Sequence, residues 1–278
     1  MRPQTIYIPN ADAQMRVACF VSGSGTNARR IMERSLERDS GYEVSLIFTD
    51  VRDDRFRRSG EKRCRAKDIA DEFDISYECV DIRDFYRERG MKRTDLSLRP
   101  EFDRLVVETV APYGINLIAL AGYMSITTQP LLEAYEGRMV NVHPADLSIM
   151  EGHERRYVGI HVVRDAILAG ERELRASTHV VREKVDHGEI LVVSEPVSIN
   201  LPEDIVLDEL AQDKKLLRVI VGEHQERLKE RGDWIIFPLT IQMIAEGRFA
   251  LDGERKVYVD GVSAPRGYRI IERVLSGL

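Results

Sequence analysis

Three side chains in the sequence have the chemistry needed to work together on a carbonyl group. Asn141 and His143 belong to the segment Asn-Val-His-Pro, and Asp186 belongs to the later segment Val-Asp-His-Gly. An amide and an imidazole can stabilise an oxyanion, while a carboxylate beside an imidazole can hold and move a proton. Asn141 and His143 alternate along an extended backbone, so both side chains are expected on the same side of it. A buried, hydrogen-bonded histidine would leave the same pattern, so these residues alone also allow a structural role.

Asp186 is expected in a loop between two strands, where its charge can be tuned. Residues 176–182 and 189–195 alternate apolar and polar side chains and predict a hairpin. A carboxylate in such a loop can lie beside a histidine and be partly removed from water, which shifts the pKa values of both groups. His179, on the first strand of the hairpin, is a supporting polar group near the same loop.

A glycine-rich segment follows the first apolar strand and leads into a helix. It consists of Gly23, Ser24, Gly25, Thr26 and Asn27. Glycines allow the backbone to turn tightly, and N–H groups at the start of a helix attract phosphate. The hydroxyl and amide side chains favour a terminal phosphate as the ligand. The spacing Gly23-x-Gly25-x-x-Ala28, with Asp50 after the next strand, also fits a relaxed dinucleotide fingerprint, and a plain tight turn would explain the glycines too.

Strand-like and helix-like segments alternate through the first half of the chain. The predicted strands cover 16–22, 43–49, 76–80, 115–120 and 138–142. The predicted helices cover 28–38, 58–73, 99–112 and a short stretch from 129. This alternation predicts an α/β fold with a Rossmann-like, mostly parallel sheet flanked by helices.

The second half of the chain changes in style after the predicted hairpin. Helices are predicted at 203–231 and 236–246, and a small edge strand at 256–261. No repeat or flexible linker divides the chain. We therefore expect an N-terminal extension followed by one domain with a phosphate-binding half and a catalytic half, at 1–14, 15–145 and 146–278 respectively.

The overall composition excludes several classes of protein. A net charge of −6 and a pI near 5.7 do not favour nucleic acid, and the basic residues at 52–67 are interleaved with acidic ones, as on a solvated helix face. No apolar run reaches the ~20 residues of a membrane span, and no signal-peptide pattern is present. Three cysteines without a paired motif favour a cytoplasmic protein. The six histidines match no zinc motif, so no metal is expected.

Beyond these separate motifs, ordered segments along the chain resemble the folate-dependent formyltransferases, most closely the phosphoribosylglycinamide (GAR) formyltransferases of purine synthesis. The matching segments are 21–27, 47–50, 120–124, 141–144, 185–188, 223–224, 244–248 and 264–268. They span about residues 15–270, and the set is far more specific than any one of its members. The resemblance implies the formyltransferase fold.

The resemblance also implies a reaction and a role for each site residue. A formyl group would pass from 10-formyltetrahydrofolate to the amine of GAR through a tetrahedral intermediate. Asn141 and a protonated His143 would stabilise this intermediate, and Asp186 would assist proton transfer. The GAR phosphate would bind the glycine-rich segment, with Glu223 near the ribose or amine. The residues expected to hold the folate are Met124, Ser125, Ile126, Thr127, Val185 and His187.

The implied partners are small molecules, and the resemblance is compatible with a homodimer. The rims of the implied pockets nevertheless depart from the family pattern. The segment after His-Pro is unusual at 145–148 and is followed by a charged insertion at about 149–158, while Ser125 and Glu189 replace an arginine and a proline. Segments 82–100 and 206–232 are enlarged.

These departures leave the formyl acceptor open. It could be another amine, or water in a formyltetrahydrofolate hydrolase. An NAD-dependent oxidoreductase, based on the glycine spacing, and a non-catalytic nucleotide-binding regulator on the same scaffold are further alternatives.

Overall fold

An eight-stranded sheet forms the centre of the computed structural model, which describes residues 2–202 and 204–270. Its strands are β1 (Met15–Phe20), β2 (Tyr42–Thr49), β3 (Ser76–Cys79), β4 (Leu117–Leu120), β5 (Met139–His143), β6 (Ser177–Val180), β7 (Ile190–Val193) and β8 (Tyr268–Arg269). Their order across the sheet is β3-β2-β1-β4-β5-β6-β7-β8. Strands β1 to β5 are parallel, whereas β6 runs antiparallel to both β5 and β7. The predicted mostly parallel sheet with an antiparallel hairpin is confirmed.

Helices cover both faces of this sheet. They are α1 (Thr26–Ser35), α2 (Ala66–Phe73), α3 (Ile82–Glu88), α4 (Arg99–Val110), α5 (Gln129–Ala134), α6 (Val162–Leu168), α7 (Leu207–Gln212), α8 (Lys214–Leu228) and α9 (Trp234–Ala245). A π-helical turn at Lys229–Asp233 joins α8 to α9. Helices α3, α4 and α5 pack on one face, and the others on the opposite face. Among the described residues, no helix is long and apolar enough to cross a lipid bilayer.

Strand β1 shows why the central strands read as continuous apolar runs. Val17 and Cys19 face the core on one side of the sheet, while Ala18 and Phe20 face the core on the other. Successive side chains of a strand point to opposite faces, so a strand covered on both sides has no position for a polar residue. The chain turns to opposite sides of β1 to form β2 and β4, which creates a switch point at the carboxyl end of β1, where open α/β sheets bind their ligands.

A second, smaller sheet joins the N-terminal extension to the end of the chain. Gln4–Thr5 pairs with Phe249–Leu251, which pairs in turn with Val257–Val259 and then Val262–Ser263. The strand predicted at 256–261 is observed at Val257–Val259, where it pairs on both sides within this smaller sheet and is not an edge strand. The N-terminal segment approaches Gly247 so closely that a Cβ there would lie 2.8 Å from the Pro9 ring.

The helix predicted at 58–73 is wrong over its first part, because α2 begins only at Ala66. The preceding basic segment is a loop with a turn at Gly60, whose φ of 85° is in the left-handed region. Arg55 holds the loop against α3, where its guanidinium pairs with Asp81 at 2.6 Å and with Asp84 at 2.8 Å. The basic cluster is therefore not a solvated helix face.

The helix predicted at 203–231 is also divided differently. Residue 203 lies outside the described residues, as do residues 271–278 of the predicted domain. Asp213 ends α7 and begins α8, since its carboxylate accepts hydrogen bonds from the backbone N–H groups of Lys215 and Leu216. The break predicted between 231 and 236 is absent from the structure, because the π-helical turn carries the backbone from α8 into α9.

Candidate active site

A cleft at the carboxyl ends of β1, β4 and β5 brings most of the predicted site residues together. Its walls include residues 23–27 after β1, residues 120–127 after β4, and residues 141–144 at the end of β5. The hairpin and its loop contribute His179, Val185 and Asp186. Two predicted residues lie elsewhere. Glu223 is on the exposed side of α8, and the His187 ring turns away to contact Glu154, with 3.0 Å between Nε2 and Oε2.

Asn141 is held by its cross-strand neighbour His179. The two residues are directly opposite each other in the β5–β6 pair, and Asn141 Nδ2 lies 3.4 Å from His179 Nε2. His179 Nδ1 lies 2.9 Å from the Val180 carbonyl oxygen, to which it donates, and its Nε2 also lies 3.6 Å from Asp186 Oδ1. An amide nitrogen has two hydrogens. The second hydrogen of Asn141 Nδ2 is thus available to a group in the cleft.

The His143 ring lies between two hydrogen-bond acceptors. Its Nδ1 is 3.5 Å from Asp186 Oδ2, and its Nε2 is 3.1 Å from the Tyr157 carbonyl oxygen. Burial lowers the pKa of His143, and the Asp186 carboxylate acts in the opposite direction without cancelling the effect. The lowered pKa favours the neutral ring in the substrate-free protein, and a protonated His143 during the reaction stays a prediction. Only the charged ring could donate to both acceptors at once.

Asp186 is an ionised carboxylate in a buried position. Burial alone would raise its pKa, but hydrogen bonding to His179, the nearby His143 and the Gly159 N–H group lower the pKa to about 2. The Gly159 nitrogen lies 2.9 Å from Asp186 Oδ2. The backbone of Asp186 has a φ of 57°, which is uncommon for a residue with a side chain. Two residues later, a Cβ on Gly188 would lie 1.7 Å from the Val180 carbonyl oxygen, so only glycine fits there.

The glycine-rich segment presents the start of α1 to the cleft. Gly25 precedes α1 with a φ of 69°, and a Cβ there would meet Ile69 at 2.4 Å. No side chain caps the first N–H groups of α1 within the described residues, and the space around the Gly23 Cα position is open. Unpaired N–H groups at a helix start, next to open space, are suited to an anion.

Asp50 connects the glycine-rich side of the cleft to the loop after β4. Its carboxylate accepts hydrogen bonds from Ser22 Oγ, at 2.5 Å, and from Ser125 Oγ. Ser22 Oγ in turn accepts the backbone N–H of Met124 at 2.9 Å. Because Asp50 is buried and already paired, it is not available to bind a ribose, which weighs against the dinucleotide interpretation of the glycine spacing.

A buried carboxyl group that sequence reasoning missed lies on the helical side of the cleft. Asp233 ends the π-helical turn, and its Oδ1 has no hydrogen-bond partner among the described residues, as is also true of Asn27 Oδ1. Burial raises the pKa of Asp233 to about 7, although the neighbouring Asn27 and Lys229 oppose the shift. The sequence carries no motif at Asp233, and only its place before the apolar helix α9 could have drawn attention to it. The described residues include no group of three or more His, Cys, Asp or Glu side chains that could hold a metal ion.

The sheet order and the cleft at its carboxyl edge are those of an α/β transferase, with a glycine-rich loop and Asn141, His143 and Asp186 in one cleft. A family model described as "Formyl transferase" matches residues 15–212, and the chain belongs to this family. The predicted resemblance to the formyltransferases is confirmed.

Individual relatives carry the name phosphoribosylglycinamide formyltransferase. The protein of Haemophilus influenzae is 26% identical over 254 residues, which is 91% of this chain and 98% of the relative. The protein of Bacillus subtilis is 25% identical over 130 residues, which is 47% of this chain and 56% of the relative. The match to the trifunctional purine biosynthetic protein adenosine-3 of Gallus gallus covers 48% of this chain and 11% of that protein, at 25% identity. The chain thus spans only a part of these last two relatives.

Solved structures of similar proteins confirm the fold. The structure from Coxiella burnetii has a TM-score of 0.68 at 22% identity and covers 93% of this chain and 100% of that chain. A glycinamide ribonucleotide transformylase 1 from Symbiobacterium toebii has a TM-score of 0.61 at 26% identity, and the match covers 88% of this chain and 94% of that chain. The predicted formyltransferase fold is therefore correct.

The raised pKa of Asp233 predicts that replacing it with asparagine stabilises the protein at alkaline pH. The folded protein keeps this proton up to about pH 7, whereas the unfolded chain releases it near pH 3.8. Relative to Asp233→Asn, the wild type should therefore lose free energy of unfolding as the pH rises from 4 to 7. We expect the variant to be more stable by about 1–3 kcal/mol at pH 8, with the gap closing towards pH 4. Urea unfolding at a series of pH values measures this.

The exposed Glu223→Gln is the matched control, since Glu223 lies on the surface of α8. Its free energy of unfolding should follow that of the wild type at every pH. Parallel pH curves for Asp233→Asn and the wild type would contradict a raised pKa at Asp233.

Proposed function

We propose that this protein transfers a formyl group from 10-formyltetrahydrofolate to the amine of GAR. The observation that carries the proposal is the meeting of Asn141, His143 and Asp186 in one cleft, opposite an uncapped helix start that suits a phosphate. The names of the relatives support formyl transfer and the same acceptor. The NAD-dependent alternative is not favoured for two reasons. It assigns no function to these three residues, and Asp50, which would bind the ribose, already accepts hydrogen bonds from Ser22 and Ser125.

In this proposal the acceptor lies along the helical side of the cleft. The phosphate of GAR binds residues 23–27, at the start of α1. Asp233 takes the role that the sequence suggested for Glu223, which is contact with the ribose or amine. The Oδ1 atoms of Asp233 and Asn27 have no hydrogen-bond partner among the described residues, and the amine and ribose hydroxyls of GAR can donate to them. The pterin of the folate lies against residues 124–127 and Val185, with His187 outside the pocket.

The proposed chemistry begins when the acceptor amine attacks the formyl carbon. The new C–N bond pushes an electron pair onto the formyl oxygen, and the remaining hydrogen of Asn141 Nδ2 donates to this oxyanion. One such donor is typically worth about 10²–10³ in turnover. His143 is not a direct donor in the free protein, because both of its ring nitrogens face acceptors.

The second part of the proposed chemistry is the movement of a proton. The attacking nitrogen must lose a proton and the leaving folate nitrogen must gain one before the old C–N bond breaks. His143 can hold this proton transiently, because the charged ring would then donate to both the Asp186 carboxylate and the Tyr157 carbonyl. Asp186 stays ionised throughout, since its pKa is about 2.

A basic cavity beside the cleft supports a folate donor. It shares Met124, Ser125 and Ile126 with the cleft, and its arginines are Arg55, Arg63, Arg83, Arg93 and Arg99. Burial, followed by repulsion from Arg63, Arg93 and Arg55, lowers the pKa of Arg83. Arg99 is 2% exposed, and its Nε and Nη1 have no partner among the described residues. The glutamate tail of a folate carries carboxylates, and with the pterin in the cleft this tail would enter the cavity.

The enlarged segment 82–100 supplies three of these arginines, whereas Ser125 stands where the family often has one. We expect the double variant Arg83→Ala, Arg93→Ala to raise the KM for 10-formyltetrahydrofolate about tenfold with little change in kcat, because charge-assisted hydrogen bonds to the tail are lost. The same variant should show no preference for this donor over 10-formyltetrahydropteroate, which lacks the tail.

Arg87→Ala is the control for the arginine pair, because Arg87 lies on the same helix as Arg83, is well exposed and does not line the cavity. Its KM should match that of the wild type. If the wild type itself does not distinguish the two donors, the tail is not bound by the arginines.

The proposed reaction is tested with purified protein, 10-formyltetrahydrofolate and GAR, by following tetrahydrofolate release. Turnover that requires GAR supports the proposal. Release of tetrahydrofolate and formate without any amine would instead identify a hydrolase, and absence of turnover with folded protein and every acceptor would overturn both. The predicted cytoplasmic location, homodimer and division at residue 145 stay predictions.

Asp186→Asn tests the proposed centre itself. We expect kcat to fall by about 10²-fold or more, since the charge that favours a protonated His143 is removed, with the Kd for folate within about threefold. Asp165→Asn, which changes an exposed ion pair on α6, should leave both quantities unchanged. Near-normal turnover in Asp186→Asn would exclude the assigned role.

A further inference from the structure

The charged insertion at 149–158 forms a hairpin against the loop that carries Asp186. Met150–Glu151 pairs with Glu154–Arg155, and Gly152 supplies the turn with a φ of 62°. The tip of the hairpin is exposed, but the chain that leaves it passes alongside the His143–Asp186 pair and contacts both residues. This placement indicates a function for the insertion, which departs from the family pattern.

Three alternate residues of this outgoing chain contact the centre. Arg155 donates from Nη1 to the Asp186 carbonyl oxygen at 2.5 Å and from Nη2 to the Gly188 carbonyl oxygen at 2.8 Å. Two residues on, the Tyr157 carbonyl faces His143, and after two more the Gly159 N–H group binds the Asp186 carboxylate. The segment therefore touches both the backbone and the side chain of the Asp186 loop.

The Asp186 loop needs such support because its backbone is strained. A left-handed residue with a side chain costs about 1–2 kcal/mol, so an unsupported loop would relax from this conformation. Relaxation at Asp186 would turn the carboxylate away from both histidines. The planar guanidinium of arginine can donate two hydrogen bonds in a fixed geometry and thus hold two carbonyl groups at once.

We propose that Arg155 is a positioning residue, which clamps the carbonyls of Asp186 and Gly188 and thereby keeps the Asp186 carboxylate facing His143. The effect of Arg155 on turnover rests on the proposed formyl transfer, but its effect on the pKa of His143 does not. The role is therefore open to a measurement that needs no substrate.

If Arg155 acted only through its charge, replacing it would shift the pKa of His143 in the opposite direction from a loss of positioning. The charged and titratable groups that act on His143 are Asp186, His179 and Arg155, and the positive charge of Arg155 lowers the pKa of His143. Loss of this charge alone would raise the pKa of His143. Loss of the clamp would move Asp186 away and lower the pKa of His143, since the carboxylate favours the charged ring.

Arg155→Lys separates the two effects, because lysine keeps the charge and one ammonium group cannot replace the fork across both carbonyls. We expect the pKa of His143, measured by NMR titration of its ring nitrogens, to fall by about half a pH unit or more. We also expect kcat to fall by about 10–100-fold, with both KM values within about threefold, because the misplaced group acts mainly in the transition state. Arg155→Met, which lacks both donors, should lose at least as much kcat.

Arg156→Met is the matched control, since Arg156 is the next residue and is exposed. Its guanidinium pairs with Glu171 at 3.4 Å and lies over the Tyr157 ring, and it does not contact the Asp186 carbonyl. In this variant, the pKa of His143 and the kcat should equal those of the wild type. Circular dichroism shows whether each variant is folded, and Arg155→Lys keeps the test usable if Arg155→Met does not fold.

A wild-type pKa and kcat in Arg155→Lys would overturn the proposal. So would a raised pKa of His143 in Arg155→Met with no change in Arg155→Lys, because Arg155 would then act only through its charge. A lowered pKa in Arg155→Lys, in a protein whose wild type transfers no formyl group, would support the positioning role and reject the proposed function.

Discussion

The whole candidate site depends on one ionised carboxylate held away from water. Asp186 is 7% exposed, and a buried charge of this kind is stable only when it is paired and hydrogen-bonded. Its partners come from three separate segments, namely His143 on β5, His179 on β6 and the backbone of Gly159. The fold must therefore bring a parallel strand, an antiparallel hairpin and the chain after the insertion to one point.

Strand pairing provides the precision that this arrangement needs. Because β5 and β6 are hydrogen-bonded neighbours, Asn141 lies opposite His179 and His143 lies opposite Ser177. A shift of one residue in this register would move every side chain to the other face of the sheet, so the hydrophobic core on both faces also fixes the polar centre. The same core sets the protonation of His143, since burial lowers its pKa while Asp186 opposes that effect.

Local patterns in the sequence were enough for most of the fold. The apolar runs that became β1, β2 and β4 and the glycine-rich turn before α1 were predicted close to their observed bounds, because each is governed by neighbours in sequence. The helix predicted from residue 58 failed for the opposite reason. Arg55 pairs with Asp81 and Asp84, which are far along the chain, and these pairs hold the segment as a loop.

The sequence by itself determined the chemical types present, the alternation of strands and helices, and the family to which the chain belongs. Only the tertiary structure decided which of these groups meet. It turned His187 out of the cleft, brought in Asp233 where Glu223 was expected, and set Arg155 against the Asp186 loop. The physical reason is that burial, charge and backbone strain depend on contacts between distant segments, and no local pattern records those contacts.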